Sequence, residues 1–214
     1  MILRQSSKAL EDAARTISNG GLIAFRTDTF YGLGADPLSR LAVLRIRQLK
    51  SREEAKPILL LISDYDKVAR FITKPSELFL SIASQHWPGP LTLVSNARPE
   101  LPEELTAGSR TIGLRLPNDD DVRSLVRACG GALTATSANP SGGLPARTAK
   151  DVESYFATGI DLIIDGGEST VLQPSTVLDV SGDKPRMIRE GAISRKGLSK
   201  GLNETLLDLS LIHI

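Results

Sequence analysis

The sequence predicts an α/β domain with a mixed β-sheet. Short apolar runs bounded by glycine or polar residues alternate along the 214-residue chain with stretches whose apolar residues recur at helical spacing. Hydrophobic residues make up 41% and charged residues 24%, as in globular proteins. Aromatic residues are only 4%, so the core is expected to be aliphatic, which is typical of strands covered by helices on both faces.

The predicted helices are amphipathic stretches that follow capping or turn residues. Ser7 precedes the first of them, Lys8–Ile17, and Gly20-Gly21 ends it. The later predicted helices are Leu38–Lys50, Asp64–Phe71, Ser76–His86, Val122–Cys129 and Ala149–Phe156.

The predicted strands are short apolar runs between these helices or near the end of the chain. They are Leu22–Phe25, Ile58–Ile62, Leu91–Ser95, Thr111–Leu116, Ala132–Thr136, Leu162–Asp165, Thr176–Val180 and Arg186–Arg189. The polar segments between elements, where functional residues concentrate, are therefore the places to look for a site.

Composition excludes several classes of function. A net charge of +1 argues against a polycation that binds nucleic acid through bulk electrostatics. One cysteine, Cys129, and two histidines cannot form an intrachain disulfide or a Cys/His zinc site, so we expect no metal site on the protein itself. No run of about 18 apolar residues and no signal-peptide pattern occurs, so a cytoplasmic protein without a membrane segment is expected.

We expect one domain over residues 1–193, followed by a linker-like segment over 194–208 that is rich in Gly, Ser and Lys. The last six residues, Leu209–Ile214, form an abrupt hydrophobic end without turn residues. We expect this tail not to be native to the protein; the alternative is an ordinary C-terminal strand or helix end. If it is not native, a second domain could follow the linker-like segment.

The segment Arg26–Gly34 follows a predicted strand and combines hydroxyls, a carboxylate and two glycines. Glycine permits close approach to a ligand, and Thr27 and Thr29 can hydrogen-bond it. The alternative is a hydrogen-bonded turn. The glycine spacing matches neither a dinucleotide-binding fingerprint nor a phosphate-binding P-loop.

Cations and hydroxyls recur at other element ends. Three cations lie within Lys50–Pro57, although a base at a helix C-terminus is also an ordinary cap. Arg115 lies inside an apolar strand and needs an anion. The remaining candidates are Ser137, Asn139 and Ser141 after a buried strand, and a hydroxyl pair, Ser175-Thr176, with Arg189 further on.

These segments together resemble the YrdC-like family of threonylcarbamoyl-adenylate synthases. Seven blocks occur in the family's order over residues 20–193, which makes coincidence implausible. The blocks are Thr27-Asp-Thr with Tyr31-Gly-Leu-Gly34, Lys50-Ser-Arg52 with Lys56-Pro57, Trp87-Pro-Gly-Pro-Leu-Thr92, Arg115-Leu-Pro117, Ser137-Ala-Asn-Pro-Ser-Gly142, Ser175-Thr-Val-Leu-Asp179 and Arg189-Glu-Gly-Ala-Ile193.

The resemblance implies a twisted, open sheet with a basic concave surface and a nucleotidyltransferase reaction. L-Threonine, bicarbonate and ATP would yield threonylcarbamoyl-adenylate and pyrophosphate, and other proteins of the pathway would transfer the threonylcarbamoyl group to tRNA. Weak binding of double-stranded RNA or tRNA is a further expectation. Mg²⁺ would accompany ATP, because this ion is bound largely through substrate phosphates.

The resemblance also implies roles for individual residues. Lys50 and Arg52 would be catalytic through phosphate binding. The expected ATP-binding residues are Lys50, Arg52, Arg115, Asn139, Ser141 and Arg189, and the expected threonine-binding residues are Thr27, Ser137 and Thr176. No general base is expected, because the threonine carbamate is already anionic.

Three positions depart from the family's pattern. Arg26 and Glu190 stand where proline is common, and Ile58–Ile62 ends without the histidine that some members carry. Glu190 would partly neutralise Arg189. Two alternatives to the synthase follow: an RNA-binding or regulatory paralogue without synthase activity, and a carbamoyl-handling domain of a hydrogenase maturation factor, which needs a much longer chain.

Three other features are expected to be structural. Cys129 is predicted to be a small buried apolar group, and His86 to lie in a turn. The acidic run Asp119–Asp121 precedes a helix and is predicted to cap it rather than to bind a metal ion.

Overall fold

A computed structural model describes residues 1–50, 57–199 and 207–208. Within these residues the strands form two mixed sheets, one of five strands and one of seven, with helices packed against them. The predicted mixed α/β architecture is confirmed, but the strands divide between two sheets instead of forming one. The basic concave surface stays a prediction.

The helices are α1 to α7 in chain order. Their bounds are Ser7–Ser18, Arg40–Leu49, Glu77–His86, Glu103–Thr106, Asp120–Ala128, Ala149–Tyr155 and Arg195–Ser199. Side chains at five N-caps each accept a hydrogen bond from a backbone N–H of the first helical turn. These capping residues are Ser6, Ser39, Ser76, Asp119 and Thr148.

The strands are β1 to β12 in chain order. Their bounds are Ile2–Arg4, Ile23–Arg26, Tyr31–Gly34, Leu60–Ile62, Leu91–Asn96, Thr111–Arg115, Ala132–Thr134, Thr136–Ser137, Leu162–Asp165, Thr176–Asp179, Arg186–Arg189 and Leu207–Asp208. The first sheet has the order β1-β9-β2-β3-β8, and the second β12-β11-β10-β5-β6-β4-β7.

The two sheets share one apolar core made mainly of aliphatic side chains, as the low aromatic content predicts. A second cluster lies beneath α1 and α5, which pack against each other. None of the helices in the described ranges has the length and apolar character required to cross a bilayer.

Several short elements were not predicted. They are β1, β3, α4, α7 and β12. The predicted helix Asp64–Phe71 is a 3-10 helix over Tyr65–Arg70. The segment over 194–208, predicted to be linker-like, contains α7 and also β12, which pairs in parallel with β11. The boundary at residue 193 stays a prediction, and residues 209–214 lie outside the described residues.

The predicted strand Ala132–Thr136 is two strands in different sheets. β7 pairs with β4 in the seven-stranded sheet, whereas β8 pairs with β3 in the five-stranded sheet. The chain changes sheets at Ala135, whose N–H donates to the carbonyl oxygen of Leu59 at 2.7 Å. This crossing carries Ser137 from one sheet to the edge of the other.

Candidate active site

A cavity of about 350 Å³ lies between the two sheets, near the low end of the usual volume range of ligand sites. β3 and β8 contribute to it from one sheet, and β4, β5 and β6 from the other. Its polar lining residues are Thr27, Thr29, Tyr31, Thr92, Arg115, Thr136, Ser137, Asn139, Ser175 and Arg189. Among the described residues that line it, none is a carboxylate, so this surface suits an anionic ligand.

The Thr27 turn, residues 27–30, joins β2 to β3 and is closed by the Thr27 hydroxyl. This hydroxyl donates to the Phe30 carbonyl oxygen at 2.7 Å and accepts from the Thr29 N–H at 3.1 Å. Since its single proton is directed at Phe30, the 3.0 Å contact with Thr29 Oγ1 has Thr29 as the donor. The hydroxyl therefore shapes the turn with all of its hydrogen-bonding capacity.

Arg115, predicted to need an anion, finds it in Asp28. Its Nη1 donates to Asp28 Oδ1 at 2.6 Å, and the two side chains are 7% and 9% exposed. Burial lowers the pKa of Arg115, and the Asp28 charge opposes that effect. The Asn118 N–H reaches the other Asp28 oxygen at 3.4 Å. The strand β6 thus presents a fixed, buried cation to the cavity.

Ser175 connects two neighbouring parts of the cavity wall. Its Oγ lies 3.2 Å from Thr92 Oγ1. Arg189 donates from Nε and Nη2 to the Ser175 carbonyl oxygen at 3.2 and 2.9 Å, and from Nη2 to its Oγ at 3.3 Å. Burial and the like charge of Arg115 lower the pKa of Arg189. A bound anion would relieve the repulsion between these two guanidinium groups.

Lys50, the C-cap of α2, extends its side chain to Ser137 on the cavity wall. Its Nζ donates to the Ser137 carbonyl oxygen and, at 3.3 Å, to Oγ. Ser141 is exposed, and its Oγ donates to the Lys50 carbonyl oxygen at 3.0 Å. The end of α2 is therefore joined to the 137–143 segment twice, through the side-chain Nζ of Lys50 and through its backbone carbonyl oxygen.

Thr176 does not line the cavity, in contrast to its neighbour Ser175. Its side chain is fully buried, and Oγ1 donates to the Ile193 carbonyl oxygen at 2.6 Å. The same oxygen accepts from the N–H groups of Gly191 and Ile193 at 3.1 and 3.0 Å. A Cβ at Gly191 would overlap the Pro174 carbonyl oxygen. The Thr176 hydroxyl thus holds the segment after Arg189 against the cavity wall.

The structure brings together most of the residues that the sequence singled out. Those that line the cavity are Thr27, Arg115, Ser137, Asn139 and Arg189. Lys50 contacts this wall, while Ser141 contacts Lys50. Arg52 lies outside the described residues. The ligand roles assigned to all of these residues, and to Thr176, stay predictions.

Sequence reasoning missed Asp28 and Thr92 as individual site residues, and it singled out Ser175 only as one member of the hydroxyl pair Ser175-Thr176. All three belong to the blocks that carried the resemblance. The resemblance therefore identified the segments but did not identify these residues within them. The alternation of side chains along β10 does not reveal by itself whether Ser175 or Thr176 faces the cavity.

The departures at residues 26 and 190 make their own contacts. Arg26 Nη2 donates to Asp119 Oδ2 at 2.9 Å. Asp119 Oδ1 accepts from the N–H groups of Asp121 and Val122, which confirms the predicted cap. Glu190 Oε1 accepts from the Arg195 N–H at 2.9 Å, and within the described ranges no ion pair joins Glu190 to Arg189. The expected neutralisation of Arg189 by Glu190 is therefore not supported by a direct contact.

Comparisons with known proteins identify relatives of this chain. The Sua5/YciO/YrdC family model, described as "Telomere recombination", matches residues 15–191. A threonylcarbamoyl-AMP synthase from Pyrococcus abyssi is 34% identical over 192 residues, which are 90% of this chain and 56% of that protein. One from Thiobacillus denitrificans is 36% identical over 168 residues, 78% of this chain and 89% of that protein.

A solved structure gives the same answer for the fold. P. abyssi Sua5 complexed with L-threonine has a TM-score of 0.92 and 31% identity, with 97% of this chain and 62% of that chain covered. This chain thus spans little more than half of the archaeal relative and most of the bacterial one. Because the family model matches most of its length, the chain belongs to the Sua5/YciO/YrdC family.

Proposed function

We propose that this chain is an L-threonylcarbamoyladenylate synthase, which converts L-threonine, bicarbonate and ATP into threonylcarbamoyl-AMP and pyrophosphate. The observation that carries the proposal is the cavity wall: Arg115 and Arg189 line it among hydroxyl groups, and no carboxylate occurs in its described lining. Relatives at 34% and 36% identity bear the name of this activity, and one relative was solved with L-threonine.

The phosphates of ATP would bind where Lys50, Arg189 and the 137–139 segment meet the cavity. Lys50 is already oriented by two contacts with Ser137, so little side-chain freedom is lost on binding. Arg52 would add a second cation to Lys50, Ser141 would keep Lys50 in place, and Asn139 would contact the nucleotide. Arg115 would contribute its guanidinium group to the same anion-binding surface.

Threonine would bind on the side of the Thr27 turn. The saturated Thr27 hydroxyl would shape this pocket, while Ser137 and Ser175 offer hydroxyls on the wall itself. Thr176 does not line the cavity and would act indirectly, by holding the segment after Arg189 in place. This division assigns direct contact to Ser175 and support to Thr176.

The chemistry needs charge neutralisation more than proton transfer. The threonine amine adds to bicarbonate, and loss of water leaves a carbamate. A carbamate oxygen then attacks the α-phosphorus of ATP, and the bond from that phosphorus to the bridging oxygen of pyrophosphate breaks. Both reactants are anionic, so the fixed cations would hold them together and stabilise the charge that develops on the leaving group.

Mg²⁺ would arrive with ATP. The described cavity wall offers hydroxyls and an amide but no carboxylate, a donor set that fits a metal ion held mainly by phosphate oxygens. The product would then be consumed in the cytoplasm by other proteins that transfer the threonylcarbamoyl group to tRNA. RNA binding by this chain would be weak, in keeping with its net charge of +1.

The experiment is pyrophosphate release from ATP and bicarbonate with and without L-threonine, with mass detection of the adenylate. Threonine-dependent release together with that product is the expected result. Lys50→Ala should abolish most of it, whereas the control Lys8→Ala, at a lysine that is 73% exposed, should not. ATP binding without threonine-dependent release would favour the regulatory or RNA-binding paralogue and overturn the proposal.

A further inference from the structure

Gly32 is a glycine that the packing of the protein does not explain. The described strands contain three glycines, Gly32 and Gly34 in β3 and Gly113 in β6. A Cβ at Gly34 would lie 2.8 Å from the Phe25 ring, and a Cβ at Gly113 would overlap the Leu59 side chain. A Cβ at Gly32 would meet no described atom closer than 3.5 Å, which is ordinary van der Waals contact. Glycine weakens the interior of a strand, so a glycine without a packing reason indicates a ligand that comes close.

The position that a Cβ at Gly32 would occupy belongs to the cavity. Gly32 lines the cavity, whereas Gly34 does not. Two described atoms lie within 4 Å of that position, Thr27 Cγ2 and the Thr136 carbonyl oxygen, and both residues also line the cavity. Ser137, which pairs with Gly32 across β8, carries its side chain on the same face of the sheet. We call the room between Thr27 Cγ2 and the Thr136 carbonyl oxygen the Gly32 space.

The nearest aromatic ring of the core does not fill the Gly32 space. Phe25 pairs with Gly32 across β2, yet its ring lies over Gly34, where it takes the room of a side chain. The ring is 1% exposed and packs in the cluster beneath α1 and α5. Because the core fixes the ring there, the Gly32 space is left for a ligand.

The two groups that flank the Gly32 space limit which part of a reactant it suits. The Thr27 hydroxyl makes its hydrogen bonds inside the turn, so the methyl group, Cγ2, is the part of Thr27 that faces Gly32. A methyl group gives no favourable contact to a charged phosphate. On the other side, the Thr136 carbonyl oxygen is an acceptor with two lone pairs. A small side chain that carries both a methyl group and a hydroxyl group matches these two neighbours.

We propose that Gly32 is a specificity-determining residue, whose missing side chain leaves the room that the hydroxyethyl group of the threonine substrate occupies. The absence of a Cβ at this one position would then set the size of the amino acid that the enzyme accepts. This inference rests on the proposed function, because it takes the Thr27 turn as the threonine side of the cavity. ATP is the competing occupant of the Gly32 space, and the test separates the two.

The test compares L-threonine, L-serine and glycine as substrates of the wild-type chain, Gly32→Ala and Gly34→Ala. For each amino acid, kcat/KM is measured by pyrophosphate release with mass detection of the adenylate, and equilibrium binding is measured separately. The ratio between amino acids within one preparation does not depend on the fraction of folded protein. Gly34→Ala is the matched control, because it adds the same methyl group two residues further along β3 and away from the cavity.

We expect Gly32→Ala to lower kcat/KM for threonine relative to glycine by about 10- to 200-fold, the effect of one carbon atom in a closely fitting pocket. Serine should lose less than threonine, and the KM for ATP should not change. The φ of Gly32 lies outside the left-handed region, so the urea midpoint of Gly32→Ala should stay the same or rise. Gly34→Ala should lower the urea midpoint and leave the amino-acid ratios unchanged, since its added methyl group meets the Phe25 ring.

Three results would overturn the proposal. An equal loss of kcat/KM for all three amino acids in Gly32→Ala would show that the position does not sense side-chain size. A rise in the KM for ATP alone would assign the Gly32 space to the nucleotide. A Gly32→Ala chain that does not fold would show that packing requires the glycine after all.

Failure of the proposed function has a different signature. In that case no amino acid supports pyrophosphate release from ATP in the wild-type chain. The binding ratios still test Gly32, because they require no turnover: a selective loss of threonine binding in Gly32→Ala supports the role. Unchanged ratios, or a wild-type chain that binds no threonine, refute it.

Discussion

Arg115 Nη1 lies 2.6 Å from Asp28 Oδ1 in an ion pair that is almost completely buried at the cavity wall. The pair joins β6 of the seven-stranded sheet to the Thr27 turn of the five-stranded sheet. Removing one partner of such a pair leaves an uncompensated buried charge, whereas removing both avoids that penalty.

Substitutions at this pair should therefore affect the free energy of unfolding and the enzymatic activity differently. Arg115→Met alone should lower the free energy of unfolding by about 3–5 kcal/mol, as measured by urea denaturation. The double variant Asp28→Asn/Arg115→Met should recover most of that loss but stay inactive, because the cavity has lost its fixed cation. Activity that returns together with stability would show that Arg115 has only a structural role.

A second ion pair lies on the other side of Thr27. Arg26 and Asp119 are 24% and 16% exposed, and Arg26 Nε is buried without a partner. We expect this pair to position the Thr27 turn. Arg26→Gln should raise the KM for threonine several-fold and leave the KM for ATP unchanged.

The partner residue permits a clean double-mutant cycle. Asp119→Ser removes the carboxylate but keeps a good N-cap for α5. The coupling between Arg26→Gln and Asp119→Ser in kcat/KM for threonine should be about 1 kcal/mol. The control is Arg127→Gln, which breaks a more exposed ion pair between the last turn of α5 and Asp64. It should leave kcat/KM for threonine unchanged. Additive effects would argue against coupling through the pair.

Removal of the two adjacent hydroxyls should have opposite effects: loss of the Thr176 hydroxyl should lower stability, and loss of the Ser175 hydroxyl should lower activity. Thr176→Ala removes a buried hydroxyl with three partners and should cost about 1–3 kcal/mol of stability, which Thr176→Ser should restore. Ser175→Ala should change stability by less than about 1 kcal/mol but lower kcat/KM for threonine roughly tenfold. Urea unfolding and steady-state kinetics of both variants test this prediction. The reverse pattern would show that Thr176, not Ser175, contacts the substrate.

The fold was predictable where the sequence signal is local. Amphipathic helices with Ser or Thr caps and continuous apolar runs mark most of the elements near their observed positions. β3 was missed because Tyr31-Gly-Leu-Gly34 is half glycine, and glycine weakens a strand. Besides the hairpin with β2, its support is non-local: the Tyr31 hydroxyl donates to the Gly167 carbonyl oxygen at 2.8 Å, far along the chain.

The site was predictable as a set of segments but only partly as individual residues. The division of Ala132–Thr136 between two sheets depends on pairing with β4 and β3, which no local pattern contains. For the same reason Arg115 indicated an anion but did not identify Asp28, because a contact between β6 and the Thr27 turn is a property of the assembled sheets.

The Thr27 hydroxyl should matter for shape rather than for direct contact. Thr27→Ser can make the same three hydrogen bonds and should retain most of the activity. Thr27→Val keeps the volume but leaves the Thr29 N–H and the Phe30 carbonyl oxygen without this partner. It should raise the KM for threonine at least tenfold. Equal activity of the serine and valine variants would rule out this role.

Cys129 offers a measurement of burial that is independent of catalysis. It is the only cysteine in the chain, it is buried, and burial raises its pKa to about 12. At pH 8 almost no thiolate exists in the folded protein, so iodoacetamide should label it at least 100-fold more slowly than a cysteine peptide. Labelling should accelerate in urea along the unfolding transition.

The raised pKa of Cys129 also sets the sign of a pH effect on stability. The fold favours the neutral thiol, and the unfolded chain ionises near the ordinary pKa of about 8.5. The stabilisation is therefore complete below that pH and is lost as the pH rises from there towards about 12. Cys129→Ala should flatten this part of the stability profile relative to the wild-type chain. If iodoacetamide labelled Cys129 at pH 8 nearly as fast as it labels a cysteine peptide, the thiol would be accessible at the end of α5, and no such flattening would be expected.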